Sequence, residues 1–167
     1  MELHSLDDLL VHQLNDLYSA EQQLMKALPD MAEAATSPDL RMAFQEHLVQ
    51  TQTQAERIES IFESFGTKPE KMKCKGMEGL IEEGREILKG KGEPAVKDAA
   101  LIAAAQRVEH YEIAGYGCAR TYAEELGYQD AAELLQETLD EESQTNERLT
   151  MLAESHINIE AEEAEEE

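Results

Sequence analysis

Tryptophan is absent from this chain, and aromatic residues make up only 5% of its 167 positions. Alanine, leucine, glutamate and glutamine are plentiful instead, which is the composition of a protein built from long helices. Cysteine is nearly absent too: Cys74 and Cys118 lie in different segments. They make neither a CxxC pair nor a zinc spacing, so a reducing compartment is expected. Basic residues are scarce, with 14 Lys plus Arg against 37 Asp plus Glu and a net charge of −23. Such a surface repels nucleic acid and anionic lipid, so neither is expected as a partner. A halophilic cytosol suits that charge, since concentrated salt screens the self-repulsion; a solvated surface plus an acidic tail suits it equally.

No stretch approaches the roughly 18 consecutive apolar residues of a membrane span. The start, Met1-Glu2-Leu3-His4, lacks the basic and apolar runs of a signal peptide. The expectation is a cytoplasmic, non-membrane protein. There is no Ser/His/Asp grouping, no Gly-rich phosphate loop and no dinucleotide fingerprint. Gly115-Tyr116-Gly117 lies inside a helical stretch; its glycines are expected to permit close helix approach, at roughly 1 kcal/mol each in helix stability.

What is present is helical periodicity. A first helix is expected over about 5–34, with Ser5 and Asp8 forming a capping arrangement and Pro29 kinking it without ending it. A second runs from Pro38, capped by Ser37, to about Phe65. Residues 66–94 are broken by Gly and Pro around a short helix, about 77–88. A crossover returning along a helix of about 42 Å needs roughly this much chain. A third helix covers about 95–126, ended by Gly127, and a fourth about 129–156. Residues 1–157 are expected to form one domain, and 158–167 a disordered acidic tail.

The apolar faces of these helices are interrupted by acids. In the third, Glu109 and Glu112 fall on the inward period, and residues three apart share a helix face. Glu21 takes a position in the Leu17–Leu24 stripe that the pattern reserves for an apolar side chain. The fourth helix offers Glu142, or Glu141 beside it, and the second offers His47 amid Gln50, Thr51 and Gln54. A buried carboxylate is costly unless paired or bound to a cation. Four helices that converge carboxylates on one interior point have the pattern of a dimetal bundle. Glu21, His47, Glu109, Glu112, Glu142 and, as an alternate, Glu141 are therefore the candidate metal ligands. Hard oxygens with about one imidazole suit two iron or manganese ions. Tyr18, Tyr111 and Tyr116 flank these acids and are expected mainly to pack. His110 points about 100° away from Glu109, and His4, His12 and His156 have no supporting constellation.

The chain also repeats itself at an offset of 91: Glu21 falls on Glu112, Glu46 on Glu137, Thr51 on Glu142, Glu56 on Glu147 and Arg57 on Arg148. Two helical hairpins related by a pseudo-twofold axis near the carboxylates would produce this.

The residues at Tyr18–Leu24, His47-Leu48 with Thr51, Met72–Glu83, Asp98–Gln106, Val108–Ala114, Leu126-Gly127-Tyr128 and Leu139–Glu142 resemble the YciF-like family of stress-associated, ferritin-like proteins, with its YciE relatives. The likeness spans roughly 3–155 and includes the crossover. It implies an all-α, ferritin-like four-helix bundle of two hairpins joined by a long crossover with a short extra helix. It further implies a rubrerythrin-like dimetal position and a homodimer. The chain departs from the usual ferritin-like pattern, since its second helix has no inward Glu and its fourth reads Glu142-x-x-Thr145. An active centre would handle oxygen, peroxide or ferrous iron. The competing expectation is a metal-free dimeric bundle whose acids pair with Arg57, Arg107, Arg120 or Arg148. An iron-storage cage lacks its fifth helix here.

Overall fold

The computed structural model describes residues 3–164, and every regular element among them is helical. In chain order these are α1 (Leu6–Ala34), α2 (Pro38–Ser64), α3 (Lys75–Lys89), α4 (Pro94–Glu125) and α5 (Gln129–Leu152). A five-residue π-turn, Ala153–Ile157, carries α5 into α6 (Asn158–Glu163). No helix among the described residues is long and apolar enough to cross a membrane.

Local chemistry sets the boundaries. Ser5 Oγ accepts the Asp8 amide at 3.1 Å while the Asp8 carboxylate accepts the Ser5 amide at 3.0 Å, a reciprocal cap that satisfies two otherwise orphaned donors. Ser37 caps α2 through the Leu40 amide, followed by Pro38 at the first helical position. Pro29 lies inside α1, which runs on to Ala34. Gly66 and Gly127 follow α2 and α4 with φ of +72° and +79°, a region open to glycine at little cost.

Helix α1 packs on α2 and α4 on α5, and α1–α4 and α2–α5 contacts join the two pairs. The apolar interior falls into two halves along the bundle. One centres on Leu24, Leu28, Phe44, Leu101, Ile102 and Leu149. The other centres on Leu10, Leu14, Ile58, Phe62, Ala119 and Leu135. Along α2, α4 and α5 the sequence between these halves carries buried polar side chains, so the bundle has a polar layer in its waist.

The crossover is laced to α1. Ser19 Oγ accepts the Cys74 amide at 2.9 Å, Gln23 Nε2 donates to the Cys74 carbonyl at 3.0 Å, and Asn15 Oδ1 accepts the Glu70 amide at 2.7 Å. The buried Cys74 thiol lies 3.3 Å from Asp16 Oδ2 and 3.0 Å from the Tyr111 hydroxyl, which itself donates to Asp16 at 2.6 Å. On the other side Asp98 of α4, buried, accepts the Thr36 and Ser37 amides at 2.9 and 2.7 Å and the Thr36 hydroxyl at 2.6 Å. It thereby fixes the α1–α2 corner to α4.

The structure departs from the sequence expectations in three places. Residues 158–163 are helical rather than disordered: the π-turn brings Ile157 into the core, and α6 packs along α4. Residues 165–167 of the expected tail lie outside the described residues. Of the two glycines in α4, only Gly115 marks a close approach, since a Cβ there would stand 2.7 Å from Leu17 Cδ2, whereas Gly117 has no neighbour within 4 Å. The extra helix starts at Lys75, with Cys74 Sγ accepting the Met77 amide.

Candidate metal centre

The polar layer takes one or more side chains from each long helix. Glu21 comes from α1, His47 from α2, Glu109 and Glu112 from α4, and Glu142 from α5, none more than 3% exposed. Helix periodicity puts them there: each replaces an apolar residue on the face its helix turns to the core. His47, Glu109, Glu112 and Glu142 each offer a ligand atom, and these four atoms all lie within 4.8 Å of one another. Ligands at about 2.0–2.2 Å from one ion stand up to about 4.4 Å apart, so the cluster is close to coordination size.

Glu21 adjoins them. Its Oε1 accepts the hydroxyl of the fully buried Tyr116, and its other oxygen has no partner. Glu141, the alternate from the sequence, turns elsewhere. It takes a two-pronged pair from Arg57 at 2.7 and 2.8 Å and a bond from Gln54 at 3.0 Å. Burial by itself would raise Glu141, but the Arg57 and Gln54 bonds outweigh it and hold the carboxyl below its usual range. The structure therefore gathers Glu21, His47, Glu109, Glu112 and Glu142 and leaves Glu141 in an ion pair. His110 is exposed on α4 with Nδ1 against the Gln106 carbonyl.

The acids are held in an unfavourable state. Burial pushes the Glu21, Glu109 and Glu112 carboxyls well above the ordinary value, and neighbouring carboxylates push them further. Glu142 presses on all three, while the Tyr116 hydroxyl partly relieves Glu21. Both oxygens of Glu112 and of Glu142 lack a hydrogen-bond partner, as do one oxygen of Glu109 and both His47 nitrogens. His47 Nε2 stands 3.4 Å from Glu109 Oε1. Thr51 Oγ1, buried in the same layer of α2, is also unpartnered.

None of the arginines expected as partners reaches these groups. Arg57 pairs with Glu137 and Glu141, Arg107 with Glu83, Arg120 with Glu124, and Arg148 with Glu46. A donor set of four carboxylates and one imidazole, with oxygens that find no donor in the protein, fits hard divalent cations. Four ionised carboxylates carry the charge that two divalent ions neutralise.

The internal repeat is visible in these bonds. At the offset of 91, the Arg57–Glu137 pair maps onto Arg148–Glu46, and the Gln54–Glu141 bond onto the contact of Thr145 with Gln50.

Known proteins match most of the chain's length. Residues 5–162 match the model of a domain of unknown function, DUF892. Over 163 residues the chain is 50% identical to protein YciF of Escherichia coli (strain K12), covering 97% of this chain and 98% of that protein. The crystal structure of the E. coli stress protein YciF superposes with a TM-score of 0.90, covering 93% of this chain and 98% of that one. YcfI from Rhodopseudomonas palustris, 44% identical, gives a TM-score of 0.86 over 89% of this chain and 95% of its own. A protein from Xanthomonas campestris shares the fold at a TM-score of 0.77 with 20% identity.

Proposed function

The chain belongs to the DUF892 family, and on that premise we propose that it is a ferritin-like stress-response protein built around a dimetal carboxylate centre. The observation that carries the reading is the set of four buried ligand atoms within 4.8 Å whose side chains include unpartnered oxygens and nitrogens. An unsatisfied buried carboxylate costs several kcal/mol. Four buried carboxylates and one imidazole, brought by four helices to one layer, are offset in this reading by bound cations.

Glu21, Glu109, Glu112, Glu142 and His47 would hold two iron or manganese ions, with Thr51 facing the same layer. When bound, such ions supply one-electron chemistry toward oxygen, peroxide or ferrous iron. The protein's own contribution is positional. Tyr116 fixes one oxygen of Glu21, and His47 sits against Glu109. The Arg57–Glu141 pair clamps α2 to α5 beside the centre without spending a ligand.

The test is the metal content of untagged protein offered ferrous iron without oxygen. The reading expects about two ions per chain, lost when Glu109 and Glu112 are both changed to alanine. Occupancy that survives those substitutions would overturn the ligand assignment. A second reading, a metal-free structural bundle, draws on the upward-shifted carboxyls, which could stay protonated as hydrogen-bonded acids. It expects no bound metal, and a thermal midpoint that chelators leave unchanged.

A further inference from the structure

The two halves of the repeat differ in one respect that bears on access to the layer. In one half Arg57 donates to Thr138 at 3.1 Å and grips Glu141 with two bonds, while Gln54 donates to Glu141 from α2. These side chains tie α2 to α5 in a closed net. At the offset of 91 the equivalents of Thr138, Glu141, Gln54 and Arg57 are His47, Gln50, Thr145 and Arg148. Gln50 stands where the other half has a carboxylate, so Arg148 has no acid there to grip. It pairs instead with Glu46, which is half exposed. His47, Gln50, Thr145 and Arg148 now line a cavity of about 150 Å³.

Leu24, Leu28, Phe44, Val108 and Leu149 supply much of the apolar lining of that cavity, and His47 and Glu109 line it as well. Both polar residues are more than nine-tenths buried, and both carry atoms with no partner: the His47 nitrogens and Glu109 Oε2. A cavity of this volume accepts a molecule of benzene size, about six heavy atoms. A charged head would have to shed its water in a largely apolar chamber, and an anion would face Glu109 as well as Arg148. A neutral hydroxyl or hydroperoxyl group can donate to Glu109 and accept from His47.

We propose that this cavity, lined by Leu24, Phe44, Val108 and Leu149 and ending at His47 and Glu109, binds a short aliphatic alcohol or hydroperoxide. Arg148 is the side chain that flanks it. The proposal deepens the reading of the centre as a dimetal site, by assigning it a substrate class, and places the open side at the His47 half of the repeat.

The experiment uses 1-pentanol as the probe, followed by ligand-observed saturation-transfer NMR on the protein as purified, with metal content measured on the same sample. Three proteins are compared: wild type, Gln50→Glu and Ala105→Leu. Ala105 lines the cavity, so the larger side chain fills it. Gln50→Glu restores to Arg148 the carboxylate that Arg57 has in Glu141, and draws it across the cavity. Saturable binding to wild type is expected, weakened at least tenfold in both variants, with sodium pentanoate bound more weakly than pentanol to wild type. No saturable signal with wild type, or wild-type affinity in Ala105→Leu, overturns the site. Wild-type affinity in Gln50→Glu alone overturns the role given to Arg148. Pentanol binding to a protein that stays free of metal after being offered ferrous iron would sink the dimetal reading while leaving the cavity assigned. A metal-loaded protein that ignores pentanol would do the reverse.

Discussion

Tyr116 and Glu21, from α4 and α1, meet at the waist of the bundle, each wholly buried, with the phenol donating to one carboxylate oxygen. The phenol thus supplies that acid with a hydrogen-bond donor. Tyr116→Phe keeps the ring and removes the donor. It should destabilise the metal-free protein by about 1–3 kcal/mol, the penalty for stranding a buried acceptor. Urea unfolding of both proteins in a chelator measures it.

The raised carboxyls fix the sign of the pH dependence. In the unfolded chain Glu21, Glu109 and Glu112 titrate near 4.5, and in the fold they titrate well above it. The folded protein therefore binds more protons than the unfolded one above pH 4.5. Its stability is intact below that value and is lost as pH rises through the folded values. Glu141, shifted down, loses its contribution only on the acid side. Metal-free protein should therefore melt lower at about pH 8 than at about pH 5.5. Manganese should raise the midpoint most at the higher pH, since ion binding displaces those protons. Calorimetric scans with and without chelator decide it; an unchanged midpoint across that range would refute the assignment of these acids.

Glu141 and Glu142 are adjacent but should behave oppositely. Glu141→Gln breaks the two-pronged pair with Arg57 and should cost about 1–3 kcal/mol while leaving metal content unchanged. Glu142→Gln should lower metal affinity by more than the roughly 100-fold that even outer hydrogen-bond partners of a metal site can command. In the chelated protein it should raise stability, because a buried acid that presses on Glu21, Glu109 and Glu112 is gone. Metal analysis and denaturant curves on the two variants separate the roles.

The glycines of α4 offer a control on packing. Gly117 has open space around it, so Gly117→Ala should stabilise by about 0.5–1 kcal/mol through helix propensity alone. Gly115→Ala would press on the buried Leu17 at 2.7 Å and should cost about 1–3 kcal/mol from overpacking. Equal effects at both sites would argue against the close approach of α1 to α4 at Gly115.

The inward acids were legible because a 3.6-residue period makes a polar residue in an apolar stripe visible without any structure. Glu21, Glu109, Glu112 and Glu142 all declare themselves that way. The choice between Glu141 and Glu142 was not, since neighbours on a helix differ by 100° and the deciding contact is a long-range pair with Arg57. Arginine partners were unreadable for the same reason: a long side chain reaches several acids, and only the fold selects Glu83, Glu124 or Glu46. Asp98 and Asn15 sit on inward faces like the candidate ligands do, and the pattern alone cannot tell that their oxygens serve backbone amides at a corner and in the crossover. Helix α6 was hidden by its composition, because nothing in an acidic stretch announces that a π-turn will bring Ile157 inside.

That π-turn bears on how such chains can vary in length. In Ala153–Ile157 the Asn158 amide reaches back five residues to the Ala153 carbonyl, which accommodates one residue more than an α-helical turn. A single-residue deletion there would remove that extra residue and yield an ordinary helix, leaving Ile157 and α6 on the face they already turn to α4. Every candidate ligand lies upstream and would keep its heading. A deletion of one residue within α2 or α4 would instead swing the side chains beyond it by about 100° and dismantle the waist. Tolerance to insertion and deletion should therefore be concentrated at this single point of the helical framework.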